Sequence, residues 1–549
     1  MTELYKRYFI EKFDEKGLLK AVETGYDSNF NFAYDVMDEY AKESPDMVAL
    51  VHKDIKGNVR KFTYSDLKNM SDRTANMLRN LGVKRHDSVM LILKRRYEFW
   101  ICMLAIHKLG AVAIPTSHMV SDEDIRERLV TAKCRTVICV DSADVCDNVI
   151  SAASELADVN VVCVGNDVPD SFLGFKELFD KADASFERVE TDATDAMLYY
   201  FTSGTSGQPK AVIHNFSYPI AHIFTAKYWH AVVPGGLHLT VADSGWAKSA
   251  WGKMYGQWFM KCAVLVYDYD VFYAEDMLKV LEEEKVTTFC APPTIYKYLV
   301  RKKIEDYNLE SLVSVTTAGE ALPKEVDEKF YAKTGLKIRQ GYGQTETTLL
   351  TCTMKGCEQS EGSIGTKSPL YDIAIVDEDN NPVDAGNEGE IVIVPKDNTL
   401  PIGLFCGYLG EENMYKEVWE GGVYHTKDKA YVDAFGNYFF IGRNDDVIKS
   451  SGYRIGPTEV EDIINEHPAV SECAVTGFPS KNRGQVVKAT IILKDGFNPD
   501  DNLKNEIKEF VKMRTAMYKY PRMIEFVKDL PRTTNGKISR SMIRKKDGC

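Results

Sequence analysis

The sequence predicts an α/β protein: a large multi-sheet N-terminal domain with a β-rich subdomain, followed by a small mobile α+β C-terminal domain. Three observations predict it. The chain has 549 residues, whereas single hydrophobic cores stop growing at roughly 250 to 300 residues and longer chains split. From Thr63 onward the text alternates between helical and strand periods, the pattern of βα units with largely parallel sheets. After about Leu370 it changes to short strands separated by Asn/Gly/Pro turns, which predicts a compact β-rich subdomain.

Each element has a local reason. In TYSDLKNMSDRTANMLRNLG, Thr63 and Asp66 predict a capping box, Leu67, Met70, Thr74, Met77, Leu78 and Leu81 fall at helical spacing, and Gly82 ends the helix. VMLILK is a strand, YEFWICMLAIHKLG a helix closed by Gly110, and AVAIP another strand. TVICVD, VNVVCVG, CAVLVYD, TTFCAPP and SVTTAGE continue the strands, separated by amphipathic segments such as AEDMLKVLEEEK. YDIAIVDEDNNPVDAGNEGEIVIV and GNYFFIGR form the β-rich subdomain, about 371–444. Then come EVEDIINEHPAV (helix), SECAVTGF and KATIILK (strands), DNLKNEIKEFVKM (helix) and MIEFV (strand), a small domain over 445–549. The joint falls at Asn444 to Asp446, leaving 1–444 as the large domain.

Composition narrows the function classes. No segment has the roughly 18 uninterrupted apolar residues of a membrane span. The first twenty residues are too charged for a signal-peptide core, so a cytoplasmic location is expected. The 12 cysteines are scattered without a C-x-x-C pair, which predicts buried free thiols rather than a zinc ribbon or disulfide framework. A net charge of −13 opposes nucleic-acid binding. From Asp446 onward there are 19 Lys+Arg against 14 Asp+Glu, a net of +5, so the preceding residues carry −18. An acidic body with a basic tail domain suits an anionic ligand held near the tail.

The stretch YYFTSGTSGQPKAVIH, from Tyr199, is the strongest chemical signal. Its glycines let backbone N–H groups turn inward, the hydroxyls of Thr202, Ser203, Thr205 and Ser206 donate, and Lys210 adds charge, a combination suited to a polyphosphate. It is not a Walker A loop. Pro209 stands five residues after Gly204 where that motif needs Gly-Lys, and AVIH after Lys210 reads as a strand rather than a helix.

Seven stretches in order carry a resemblance: YYFTSGTSGQPK, TTAGEAL, GYGQTE, YHTKD, GRNDDVIKSSGYRIGPTEVE, YPR and the terminal PRTTNGKISR. From about Phe32 to Arg544 the chain resembles the adenylate-forming superfamily of acyl- and aryl-CoA synthetases, luciferases and nonribosomal adenylation domains, most closely the medium-chain acyl-CoA synthetases. The resemblance implies an ATP-dependent carboxylic acid:CoA ligase. It would form acyl-AMP and pyrophosphate, then acyl-CoA and AMP, working as a monomer or homodimer on a small carboxylic acid.

A carboxylate attacking the α-phosphorus of ATP approaches a polyanion, so cations and donors must stand where charge builds up. The resemblance implies Mg2+, coordinated by Glu346, a hard oxygen ligand. Thr345 would donate to the α-phosphate, a role one hydroxyl can combine with capping a helix. Thr202, Ser203, Gly204, Thr205, Ser206, Gly207 and Lys210 would clamp the β- and γ-phosphates. Adenine would lie between Gly319-Glu320-Ala321 and Tyr342, in the segment that also holds Gly341, Gly343 and Gln344. Asp428 and Arg443 would hold the ribose and Arg454 would sit near the α-phosphate. Lys427 stands where most relatives have glycine, a departure just before Asp428.

Lys537 is implied as the catalytic lysine of the first half-reaction. It lies more than 300 residues from the phosphate loop, so domain closure about the hinge Asp445 is expected to bring it in. The same rotation would then offer the turn Ser450, Ser451, Gly452 and Tyr453 to the pantetheine arm of CoA, with Arg483, Tyr520 and Arg522 as further contacts. The acyl group would lie near DSGWAKSAWGKMYGQWF and against Gly341. If 246–258 is one helix, Trp246 and Lys253 share a face and Trp251, Met254 and Trp258 another. Bulky indoles imply a short cavity for small, branched or medium acids. Lys253 then either snorkels to solvent or meets a polar or acidic group on the substrate. A luciferase-like oxygenase or a carrier-loading enzyme would keep the adenylate and change the acceptor.

Overall fold

The computed structural model describes residues 3–203, 209–443, 446–450, 453–480, 483–533 and 537–548. Its chain forms two compact units. One comprises Met1–Asp372 with Pro395–Val418, the other Ile373–Val394 with Trp419–Cys549.

The first unit is built on two large sheets. One has eight strands, in spatial order Gly407–Tyr408, Pro209–Asn215, Ala196–Ser203, Val112–Pro115, Ser88–Ile92, Thr136–Val140, Asn160–Val164 and Leu173–Gly174. Its pairs are parallel from Ala196–Ser203 to Leu173–Gly174 and antiparallel on either side of Pro209–Asn215. The other has nine strands: Thr366–Lys367, Leu349–Cys352, Ile338–Gly343, Ser314–Ala318, Thr288–Cys290, Leu237–Thr240, Ala263–Asp268, Val48–Asp54 and Val59–Thr63.

The apolar strand runs read from the sequence are these central strands, and Ser88–Ile92 and Thr136–Val140 are buried along their whole length. Strands covered on both faces lack alternation because both side-chain directions meet core. Helix Tyr64–Asn80 begins with the expected capping box, Asp66 N–H donating to Thr63 Oγ1 at 3.1 Å and Thr63 N–H to Asp66 Oδ2 at 2.9 Å. Helix Glu98–Lys108 is buried from Phe99 to Lys108. Its last residue, a lysine, is tolerated there because Nζ pairs with Asp38 at 2.9 Å and Asp72 at 2.5 Å.

The second unit holds a four-stranded antiparallel sheet of Ile373–Val376, Gly389–Ile393, Tyr424–Val432 and Tyr438–Arg443. It also holds a five-stranded sheet of Tyr453–Ile455, Ile448–Ser450, Gly484–Leu493 and Val470–Ser480, with Met523–Phe526 parallel to Gly484–Leu493. Helices Pro457–Asn465 and Asp501–Lys512 cover the latter through Val460, Ile464, Leu503, Ile507 and Val511. The four-stranded sheet, read from the sequence with the large domain, shares a compact unit with the C-terminal residues. Close backbone packing joins them: a side chain at Gly456 would stand 2.7 Å from the Ile441 carbonyl oxygen. No described helix is long and apolar enough to cross a membrane.

Candidate active site

Strands Ala196–Ser203 and Pro209–Asn215 pair antiparallel, with Thr202 opposite Lys210 and Ser203 opposite Pro209. The Ser/Gly loop is therefore held between two strands, as its failure of the Walker pattern predicts. Gly204, Thr205, Ser206 and Gly207 themselves lie outside the described residues. Thr202 Oγ1 is buried and has no hydrogen-bond partner among the described residues.

Lys210 and His214 stand four apart on a strand and so share a face. That face meets the end of Ile338–Gly343, where Gln344, Thr345 and Glu346 follow. Lys210 Nζ lies 2.8 Å from Glu346 Oε1 and donates to Tyr408 OH at 3.1 Å, while Tyr408 donates to the same carboxylate oxygen at 3.0 Å. Glu346 is 8% exposed. Burial pushes its carboxyl up, and the charge and hydrogen bond of Lys210 outweigh this to hold it below the ordinary value. His214 Nε2 donates to the Thr345 carbonyl oxygen at 2.7 Å, and burial drives its imidazole down to about 4, so it stays neutral at pH 7.

Strands Ser314–Ala318 and Ile338–Gly343 are parallel neighbours, with Ala318 opposite Gly341. Both end on the same side, the side where open α/β sheets bind ligands. Beyond Ala318 the chain turns at Gly319, φ 98°, into Glu320 and Ala321, both exposed. Lys248 Nζ steadies this turn by donating to the Ala318 carbonyl oxygen at 2.7 Å. Tyr342 is half-buried beside it. Gly341 and Gly343 are required by packing, because a Cβ would stand 2.8 Å from the Trp229 ring at Gly341 and 2.7 Å from Trp251 at Gly343.

The segment 246–258 is not one helix. Helix Ala247–Gly252 stops, Lys253 and Met254 leave helical geometry, and Tyr255–Phe259 starts again. Close approaches fix glycine on both sides of the break: a Cβ at Gly252 would meet Thr240 Oγ1 at 2.0 Å and one at Gly256 the His222 carbonyl oxygen at 2.1 Å. The shared face expected for Trp246 and Lys253 therefore does not form. Lys253 does not snorkel either. It is 3% exposed, donates to the Ala242 carbonyl oxygen, and accepts at its own carbonyl from Trp100 Nε1 at 2.6 Å. Burial, with the Arg95 charge adding and Asp243 opposing, lowers its amine to about 7. Lys253 lines a gap too narrow to admit a water-sized sphere, with Phe99, Met103, Tyr200, Met254 and Tyr255. Trp246 is half-buried, and its Nε1 has no partner among the described residues.

In the second unit, Asp428 is 6% exposed and stands opposite Arg443 in register. Lys427 adopts φ 62°, the left-handed geometry that glycine takes without cost. Its N–H donates to Glu390 Oε1 at 2.8 Å. Ser450 pairs with Tyr453 and with Gly484, which brings the exposed Arg483 beside the hairpin. Asp445, Ser451, Gly452 and the side chain of Arg454 lie outside the described residues. Tyr453 stacks on Tyr518 with centroids 4.0 Å apart. Arg522 Nη1 donates to Tyr520 OH at 2.9 Å. Lys537 is exposed, its carbonyl accepting from Thr533 N–H at 2.7 Å.

Sequence reasoning missed His214, Tyr408 and Lys248. Period-two alternation from Lys210 could have found His214; Tyr408 is 198 residues away from Lys210 and leaves no local signal.

Comparison with known proteins matches residues 37–401 to the AMP-binding enzyme family and 459–537 to the AMP-binding enzyme C-terminal domain. The chain is 37% identical over 533 residues to the human acyl-coenzyme A synthetase ACSM3, mitochondrial, covering 95% of this chain and 90% of that one. Among solved structures it is similar to the anthranilate CoA ligase AuaEII in complex with anthranoyl-AMP, with TM-score 0.85, 26% identity, and 95% and 98% of the two chains covered. It is also similar to an acyl-CoA synthetase from Brucella canis, with TM-score 0.72, 30% identity and 95% of each chain covered.

Proposed function

Because the chain belongs to the AMP-binding enzyme family, we propose that it is an AMP-forming carboxylic acid:CoA ligase acting through an acyl-AMP. Its acid is small: short, branched or medium in chain. The observation that carries this reading is the meeting of Lys210 with Glu346 beside Thr345, where two adjacent parallel strands end. An anionic triphosphate laid there would find a cation, a hydroxyl and a carboxylate within one side-chain length.

Thr202, Ser203, Gly204, Thr205, Ser206 and Gly207, with Lys210, hold the phosphates in this reading. The 319–321 turn and Tyr342, in the 341–344 segment, take adenine; Asp428 and Arg443 take ribose, with Arg454 near the α-phosphate. Thr345 and Lys537 then stabilise charge as the acid carboxylate attacks the α-phosphorus and pyrophosphate leaves. The donor set fits Mg2+, since one hard carboxylate, Glu346, together with substrate phosphates is how that ion is commonly held. When bound it would neutralise phosphate charge during the attack. Rotation about Asp445 next brings up Ser450 to Tyr453, with Arg483, Tyr520 and Arg522, for CoA. Trp246, Lys253 and Gly341 bound the acyl group in this reading; Lys253 is buried there, with its amine donating to the Ala242 carbonyl oxygen. The free thiols suit a reducing compartment, and we place the enzyme in the cytoplasm as a monomer or homodimer, which fractionation and light scattering would check.

Exchange of labelled pyrophosphate into ATP should depend on an added acid from a C2 to C12, branched and aromatic panel, and AMP, not ADP, should accumulate with CoA present. Absence of exchange with every acid overturns the reading. Exchange without any CoA thioester would transfer the enzyme to another acceptor.

A further inference from the structure

The backbone on the two sides of residues 534–536 is paired. Thr533 N–H donates to the Lys537 carbonyl and Ser539 N–H to the Pro531 carbonyl at 2.8 Å, with Arg532 and Ile538 bridged. Ser539 then caps helix Arg540–Lys546, accepting from Met542 N–H at 3.3 Å. Ile543, 2% exposed, seats that helix on Ala474 and Leu530. Wherever this short helix stands, the backbone of Lys537 must follow, three residues away.

Two arginines of the same helix grip Asp446, the residue directly after the proposed pivot. Arg544 Nη1 donates to Asp446 Oδ1 at 2.6 Å, and Arg540 Nη1 lies 3.5 Å from Oδ2. The backbone N–H of Asp446 reaches back to the Arg443 carbonyl at 3.0 Å. Arg540 also forks onto Glu461, Nε to Oε1 at 3.1 Å and Nη2 to Oε2 at 2.6 Å. Glu461 in turn accepts from Val475 N–H at 2.7 Å.

These are not loose surface pairs of little worth. The side chains of Asp446, Glu461, Arg540 and Arg544 are 12, 11, 23 and 23% exposed, and the two carboxylates balance the two guanidiniums. Their tasks differ. Arg540–Glu461, bidentate and tied to a buried backbone amide, anchors the helix to its own domain. The Arg544–Asp446 pair reaches beyond that anchor, to the residue next to the proposed pivot.

We propose that Asp446 and Arg544 form a strut referring the Lys537 loop to the Asp445 pivot, so that rotation about the pivot delivers the lysine to the reacting phosphate without slack. This rests on the reading of Lys537 and Asp445 given above. Arg544 is thus a positioning residue for adenylation. A misplacement of about 1 Å can cost roughly a hundredfold in rate, whereas thioester formation does not use Lys537 and tolerates the slack.

The test compares Arg544→Gln, Lys537→Ala and the double variant in both half-reactions, with the most active acid of the C2 to C12 panel. Adenylation is read by pyrophosphate exchange, and thioester formation from supplied acyl-AMP and CoA. Arg544→Gln should lower exchange about tenfold or more, keep thioester formation within about twofold, and cause no further loss when added to Lys537→Ala. The strut is overturned if Arg544→Gln leaves exchange intact, lowers both half-reactions alike, or loses its full factor on top of Lys537→Ala. If Lys537→Ala itself keeps full exchange, the lysine assignment fails and takes the strut with it, an outcome distinct from the other three.

Discussion

Lys210 and Glu346 form an ion pair at 2.8 Å between residues 136 apart in the chain, and the Tyr408 hydroxyl closes it into a triangle. Lys210 and Glu346 thus neutralise each other. In the proposed reading, substrate binding would exchange that pair for phosphate and metal.

Tyr408→Phe keeps the ring under Lys210 and removes the hydroxyl. Losing a hydrogen bond to a buried carboxylate should cost about 1.5 kcal/mol, measured by urea unfolding, and pyrophosphate exchange should need more Mg2+ for half-maximal rate. A depressed carboxyl stabilises above its unfolded value and loses that contribution as pH falls through its folded value. The stability gap between the parent and Glu346→Gln should therefore be full at pH 7 and narrow only as pH falls below the ordinary glutamate value near 4.5.

His107, His214, His222 and His238 are buried, and burial first of all lowers their imidazoles, to about 4 for His214 and about 3 for the others. Unfolded, each binds a proton from about pH 6.5 downward, so the unfolded state holds more protons and stability must rise with pH across this window. Between pH 6.5 and 4 the protein should lose on the order of 1 kcal/mol per pH unit for each histidine. His214→Phe should flatten that slope by one proton in urea titrations at stepped pH. It should also slow exchange by removing the donor that holds the Thr345 carbonyl.

Trp246 and Lys253 are tested by different readouts. Trp246→Gly should move the preference in the CoA-thioester panel toward longer acids, and unchanged preference would remove Trp246 from the pocket. Lys253→Met replaces a buried amine held at about 7. Between about pH 7 and 10.5 the unfolded lysine carries a proton the folded one lacks, so stability of the parent rises with pH in that range. The methionine variant should lack this rise, and melting curves at pH 7 and 9.5 should show the parent gaining on it.

Lys427 holds φ 62°, and a left-handed non-glycine residue costs roughly 1–2 kcal/mol, against about 0.5–1 kcal/mol of extra chain entropy for glycine. Lys427→Gly should match or exceed the parent in thermal unfolding. Lys427→Val, β-branched in the same geometry, should fall below it by more than 1 kcal/mol.

Much of the site could be read from the chain because it consists of local segments. The hydroxyl and glycine content of 202–207, the strand after Lys210, and the turn after SVTTA follow from backbone rules that act over a few residues. The break at Lys253 could not be read: helical periodicity in DSGWAKSAWGKMYGQWF was real, but Gly252 and Gly256 press against Thr240 and the His222 carbonyl, and such contacts have no trace in the segment itself. The same limit hid the burial of Lys253 and the presence of Tyr408.

Local sequence sufficed for the helix caps, the apolar parallel strands, the change to turn-rich β structure and the order of the motifs, because hydrogen bonding and side-chain period operate between neighbours in the chain. Which lysine meets which carboxylate waited on folding. Lys210 with Glu346, Lys248 with Ala318 and Asp446 with Arg544 each join distant segments, and their pairing is set by how sheets and helices pack, a property of the whole chain.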